Sequence, residues 1–284
     1  MYTGRCLCDA VRYEADGPLH SMTHCHCSMC RKHHGAMFAT FLIGPLAGFR
    51  WVTGEELLTR YQSSGSGHRA FCSRCGSAAP MPMPEMGIVF LLAGNLDADP
   101  GLRPEMHMFA ASRADWYPIT GPLPQHPRFP PQFDGGSSVE RTAPEMKPGV
   151  AQGSCLCNET AWEFTGQPEF MQNCHCSRCR RARSAAHATN AFYKASQLTW
   201  VRGKDNVRSY ALPEAKRFGQ DFCRHCGSPV PRVVESTGYV VVPCGGFDSA
   251  PGIGPRGHIF ASSKAPWFEI TDGLPQWDGY PPRQ

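Results

Sequence analysis

The chain has 284 residues, is 41% hydrophobic and contains 26 Pro and 29 Gly, which suits two domains with apolar cores and many turns rather than long helices. No stretch approaches the roughly 20 apolar residues of a membrane span or resembles a signal peptide, so a soluble, cytoplasmic protein is expected. With 15 cysteines in a reducing compartment, closely spaced thiols read as metal sites rather than disulfides.

In chain order, Cys6-x-Cys8 is followed by the alternating segment Val11-Arg12-Tyr13-Glu14, which predicts a strand. Next come Cys25-His26-Cys27-Ser28-Met29-Cys30 and a basic run, Arg31-Lys32-His33-His34. Apolar segments at 36–43 and 88–92, bounded by Gly and Pro, predict further strands, with Phe71-Cys72-Ser73-Arg74-Cys75-Gly76 between them. A Pro/Gly/Ser-rich stretch then reads as a linker.

After the linker the whole pattern returns: Cys155-x-Cys157, an alternating strand at 160–164, Cys174-His175-Cys176-Ser177-Arg178-Cys179, Arg180-Arg181-Ala182-Arg183, Cys223-x-x-Cys226 and an apolar strand at 239–242. The offset between copies is 149 through Tyr61 and Tyr210, and 151 from Phe71 and Phe222 onward, so two residues are inserted between Tyr210 and Phe222. No window shows helical periodicity with caps. The expected architecture is mainly β: a first zinc domain at 1–126, a linker at 127–148 and a second zinc domain at 149–284, forming an intramolecular pseudo-dimer that need not associate further.

Fourteen of the cysteines fall into this repeat, seven per copy, and Cys244 stands outside it as a small buried hydrophobe. Seven is odd, which suits one four-thiolate and one three-thiolate metal site rather than disulfides. The glycine after each Cys-x-x-Cys permits a tight turn that aims both sulfurs at one ion. Cys6, Cys8, Cys72 and Cys75, and likewise Cys155, Cys157, Cys223 and Cys226, are therefore expected to form closed structural sites. Cys25, Cys27 and Cys30, and Cys174, Cys176 and Cys179, form the three-thiolate sites, where an open fourth position could take water, a substrate thiol or a substrate oxygen. The alternative there is a closed site with a distant fourth ligand. His26 and His175 lie between ligands whose neighbours point the other way in extended chain, so support of the ligands is the preferred reading for them. Four zinc ions per chain are expected. Their thiolates would turn the formal charge of +4 into about −2, which removes the case for a nucleic-acid partner.

Arg31 and Arg180 recur directly after the last thiolate and are candidates to receive the carboxylates of an anionic ligand. His107 and His258 read as hydrogen-bonding structural histidines, with acid–base chemistry as the alternative. Trp116 and Trp267 read as core or edge anchors, and Asp97 and Asp248 as turn caps.

Gly4-Arg5-Cys6-Leu7-Cys8, Cys25 through Lys32, Phe71 through Ser77, and His258-Ile259-Phe260 with Ser263-Lys264-Ala265-Pro266-Trp267 together resemble the glutathione-dependent formaldehyde-activating enzyme family, whose domain is shared with centromere protein V. The resemblance covers both halves. It implies two β-tent domains, each with two zinc sites, and glutathione chemistry at the three-thiolate site: condensation of formaldehyde with glutathione to S-hydroxymethylglutathione, a carbon–sulfur lyase activity in the reverse direction. A non-catalytic zinc-stabilised binding module is the competing class, and metal buffering a third. Each copy departs from the family pattern at a different place: Ser184-Ala185 where the first has Gly35-Ala36, Ala78-Ala79 where the second has Pro229-Val230, and Asp115 where the second has Pro266.

Overall fold

A computed structural model describes residues 1–65, 67–130 and 147–282; most of the expected linker lies outside the described residues. The fold is mainly β, in two copies of one arrangement.

In the first half, β1 (Tyr2–Arg5), β2 (Arg12–Ala15) and β5 (Phe49–Thr53) form one antiparallel sheet. A five-stranded sheet has the order β11-β3-β4-β10-β9, built from β3 (Ser21–Cys25), β4 (Ala39–Pro45), β9 (Met81–Met83), β10 (Ile88–Leu92) and β11 (Met106–Met108). A third sheet joins β6 (Leu58–Gln62), β7 (His68–Cys72) and β8 (Ala78–Ala79). A single helix, α1 (Ser28–His34), links β3 to β4. Tyr13 on β2 faces inward and is 1% exposed, in keeping with the alternation of its segment.

The second half repeats this with β12 (Val150–Ser154), β13 (Ala161–Thr165), β14 (Phe170–Cys174), α2 (Ser177–Arg183), β15 (Ala188–Lys194), β16 (Leu198–Arg202), β17 (Val207–Ala211), β18 (Gly219–Cys223), β19 (Pro229–Val230), β20 (Arg232–Val234), β21 (Tyr239–Pro243) and β22 (His258–Ile259). A short β23 (Gln276–Trp277) adds to β22 in parallel; at the corresponding place the first half has only a single bridge, His107 to Gln125. Helices stay one to two turns long because each must end where the chain re-enters a sheet. Gly35 closes α1 in the left-handed region at φ 58°, and Ser184 does so for α2 at φ 51°. Ser184 tolerates that conformation with its Oγ donating to the carbonyl of Ala78 in the first half, at 2.9 Å.

The two halves are related by reciprocal contacts. One apolar cluster runs through both, from Tyr13, Leu42 and Leu91 to Trp162, Phe164 and Tyr193. Phe71 and Phe222 meet edge to face at 6.2 Å, and Thr120 and Thr271, equivalent positions, share a hydrogen bond of 2.6 Å. Lys32 on α1 pairs with Asp248 at 2.6 Å, while Arg181 on α2 pairs with Asp97 at 2.8 Å. Asp97 and Asp248, expected as turn caps, are thus anchors between halves; the local sequence does not show a partner more than 80 residues away.

α1 packs on the turn Cys244–Gly246, and α2 on Ala93–Asn95. A Cβ at Gly245 would stand 2.3 Å from the carbonyl oxygen of Arg31, and one at Gly94 would stand 2.1 Å from the amide nitrogen of Ala185. Backbone meets backbone there, so neither neighbour can swing aside. Gly245→Ala should lower the unfolding free energy by about 3 kcal/mol in denaturant titration, whereas Gly273→Ala, with nothing within 4 Å, should change it by less than about 0.5 kcal/mol.

His33 and His34 are buried in this junction, their Nδ1 atoms donating to the carbonyls of Cys226 (3.2 Å) and Arg183 (2.8 Å) across it. Burial pushes their pKa values down to about 3 and about 4. Both remain neutral in the folded chain and take up protons once unfolded, so their contribution is complete above about pH 6.5 and is lost as pH falls toward 4. The expected outcome is a stability that declines by up to ~1.4 kcal/mol per pH unit for each histidine below pH 6.5. Denaturant midpoints in His33→Gln and His34→Gln should fall less steeply with acid than in the parent.

Candidate metal centres

Each closing knuckle sits at the end of a strand, β7 or β18, and turns on a left-handed glycine, Gly76 (φ 73°) or Gly227 (φ 72°). The turn also lies against the opposite half: a Cβ on Gly76 would strike Phe222 at 2.5 Å, and one on Gly227 would strike Phe71 at 2.3 Å. The structure brings Cys6, Cys8, Cys72 and Cys75 together, and likewise Cys155, Cys157, Cys223 and Cys226, with all sulfurs of each group within 4.8 Å. Separations of 3.5 Å (Cys6–Cys8), 3.7 Å (Cys8–Cys72), 3.4 Å (Cys155–Cys157) and 3.6 Å (Cys157–Cys223) are close to the edge of a tetrahedron with ~2.3 Å metal–sulfur bonds, about 3.8 Å. Backbone amides of Val11 and Thr160 donate to Cys6 and Cys155 at 3.4 and 3.3 Å. Ser77 and Ser228 place hydroxyls 3.4 and 3.3 Å from Cys75 and Cys226. Donors aimed at sulfur favour the thiolate. The donor set fits a closed zinc site.

The three-thiolate groups are built at strand-to-helix corners. Cys25 ends β3, Cys27 is the N-cap of α1, and Cys30 lies in its first turn; the Cys27 sulfur accepts the Cys30 amide at 3.4 Å. Cys174, Cys176 and Cys179 repeat this on β14 and α2, with 3.5 Å for the same bond. The sulfurs within each group again lie within 4.8 Å. His26 and His175 turn away from the sulfurs: their Nε2 atoms bond Nδ1 of His107 and His258 at 2.8 Å. His258 also meets Asp272 at 3.0 Å. Burial holds His26 and His175 near a pKa of about 3, and the paired imidazoles fix the backbone between ligands.

A buried guanidinium stands beside each three-thiolate group, and the two come from different elements. Arg69 on β7 donates from Nη2 to Cys30 at 3.6 Å. In the second half that strand position holds Gln220, and the guanidinium comes from Arg183 on α2, where the first half has His34. Arg183 donates to Gln220 Oε1 at 2.8 Å and to Asn190 Oδ1 at 3.4 Å. Neither arginine was singled out by the sequence reading; only a position-by-position comparison of the copies exposes the exchange. Arg31 is largely buried beside its cluster, and Arg180 donates to the carbonyl of His175 at 3.3 Å.

An open cleft of about 1400 Å³ lies over the second three-thiolate group and reaches Asn190, Gln220, Arg232 and Arg256. Cys176, which lines it, is held at a pKa of about 3 by hydrogen bonds from Cys174 and Cys179. Cys244 is fully buried, as expected, and Trp267 is 2% exposed in the core. No helix among the described residues is long and apolar enough to cross a membrane.

Because metal affinity in such a site is folding free energy, Cys75→Ser should reduce bound zinc by one ion per chain and lower the unfolding midpoint markedly. Metal analysis paired with thermal melts checks both.

A profile of the glutathione-dependent formaldehyde-activating enzyme family matches residues 1–112 and 150–263. A protein of Halomonas elongata named "Putative glutathione-dependent formaldehyde-activating enzyme" is 32% identical over 127 residues, covering 42% of this chain and 81% of the relative. An uncharacterised lyase of Schizosaccharomyces pombe is 32% identical over 76 residues, and the chain spans about half of that relative, 53%. The crystal structure of a Rhodobacter sphaeroides protein aligns at 26% identity with a TM-score of 0.30, covering 36% of this chain and 91% of the other. With both repeats matched, the chain belongs to the glutathione-dependent formaldehyde-activating enzyme family.

Proposed function

We propose that the protein makes or breaks the carbon–sulfur bond of glutathione adducts of small aldehydes, of the S-hydroxymethylglutathione type, at its three-thiolate centres. The carrying observation is that Cys174, Cys176 and Cys179 lie together at the wall of an open cleft in a chain of this family. In the forward direction the thiol sulfur bonds the carbonyl carbon, the carbonyl π bond opens, and the thiol proton ends on the new hydroxyl; the reverse step expels the thiol and regenerates the aldehyde.

In this reading Cys25, Cys27 and Cys30, and Cys174, Cys176 and Cys179, hold one zinc ion each. Cys6, Cys8, Cys72 and Cys75, with Cys155, Cys157, Cys223 and Cys226, hold the two structural ions. Zinc bound by three thiolates would supply Lewis acidity that lowers the pKa of an added thiol. The chain's own groups set the rest. The histidine pairs keep the ligand-bearing corners in place, and Arg69 and Arg183 offset thiolate charge. Repeats at 1–126 and 149–284 are the proposed domain boundaries.

Metal analysis should find four zinc ions per chain, and exchange NMR should show formaldehyde adding to glutathione faster than its spontaneous rate. Two zinc ions per chain, with no response to added thiol, would falsify the reading and leave a zinc-stabilised binding module.

A further inference from the structure

The two three-thiolate centres sit in opposite chemical settings. Around the first, Cys25 and Cys30 are buried and Cys27 is partly exposed, packed in an apolar cluster with Phe41, Phe109, Phe90 and Met81, whereas in the second only Cys174 is buried and Cys176 and Cys179 are both partly exposed. Phe41 and Phe90 touch edge to face at 6.2 Å. In the second half the position of Phe41 is taken by Asn190, and that of Met81 by Arg232. The strand registers bear out the match: Met81 pairs with Phe90 as Arg232 pairs with Val241.

On balance the replacements add positive charge, although Arg69 gives way to Gln220 and Ala70 to Asp221. Met29, Met81 and Glu105 of the first half correspond to Arg178, Arg232 and Arg256 of the second, all of which line the cleft. The two-residue insertion falls in the β17–β18 loop, where Lys216 and Arg217 add two more cations to the same wall. Against these the cleft wall carries one carboxylate, Asp221, which is 3.7 Å from Arg232. Arg256 lies over the Phe170 ring at 4.1 Å, which holds its guanidinium at the rim.

We propose that the halves have divided their work: the second centre alone takes the thiol ligand, through a cationic cleft built for a molecule with two or more carboxylates, and the first is an apolar-walled centre that serves the fold. The proposal rests on the thiol-handling reading given above and adds to it which centre acts and which cations confer selectivity. Arg232 and Arg256 are the specificity residues, placed to bind carboxylates bidentately. Phe41 and Phe90 wall the first centre with apolar rings where the second half has Asn190 and Val241.

Calorimetric titration of the zinc-loaded full chain with glutathione tests the division. One molecule per chain is expected, with affinity at least about tenfold weaker in R232S/R256S and only partly restored in R232K/R256K, because lysine keeps the charge but not the bidentate fork. Peptide mapping after brief N-ethylmaleimide treatment of the unaltered chain needs no variant. Cys176 should be labelled before Cys27, and glutathione should protect Cys176. Two equivalent sites per chain, or equal labelling and protection of Cys27, overturns the division while leaving thiol handling intact. No binding at all removes the thiol-handling reading and the division with it.

Discussion

Each short helix of this protein carries the last cysteine of a three-thiolate group and rests, backbone against backbone, on a glycine turn of the opposite half. Gly245 under α1 and Gly94 under α2 permit that approach, and Lys32–Asp248 and Arg181–Asp97 lock it. The position of Cys30 is therefore set partly by residues over 200 positions away, and that of Cys179 by residues over 80 positions away. A half on its own would expose the face of its helix, lose the partner of its cation and leave the shared apolar cluster open. The sulfur geometry depends on the junction as much as on the spacing of the cysteines.

Local order was largely legible. The seven-cysteine spacing, the glycine after each Cys-x-x-Cys and the apolar runs at 88–92 and 239–242 all reflect constraints that act within a few residues, and the structure places them as strands and turns where expected. Contacts between halves were not legible, because nothing near Asp97 names Arg181 as its partner. Arg69 escaped notice, and Arg183 stood only as one member of a basic run, for a related reason. The charge beside the sulfurs is kept while the residue supplying it moves from a strand to a helix, so neither position looks repeated. Arg31 and Arg180 drew attention because they recur, and Arg180 also donates to the His175 carbonyl within its own corner.

The histidines show how much buried polarity the fold tolerates when each ring has at least one hydrogen-bond partner. His26 with His107, and His175 with His258 and Asp272, form hydrogen-bonded chains close to the junction, where an unpaired imidazole nitrogen would cost on the order of 1–3 kcal/mol. Their role is to tie the end of β3 or β14 to its neighbour β11 or β22, so that the sulfurs on either side of the histidine face one point.

Near the pseudo-twofold axis, Tyr117 bonds His187 at 3.1 Å, while the equivalent pair on the other side is Phe268 against Phe38, rings 6.0 Å apart. In an assembly of two identical chains every residue appears on both sides of the axis, so a polar pair could not face an apolar one. Joining the copies in one chain lifts that restriction: a change made on one side need not be survivable on the other. The mismatch of Tyr117–His187 with Phe268–Phe38 is a record of that freedom, in which each half has drifted under its own selection while the junction kept its shape.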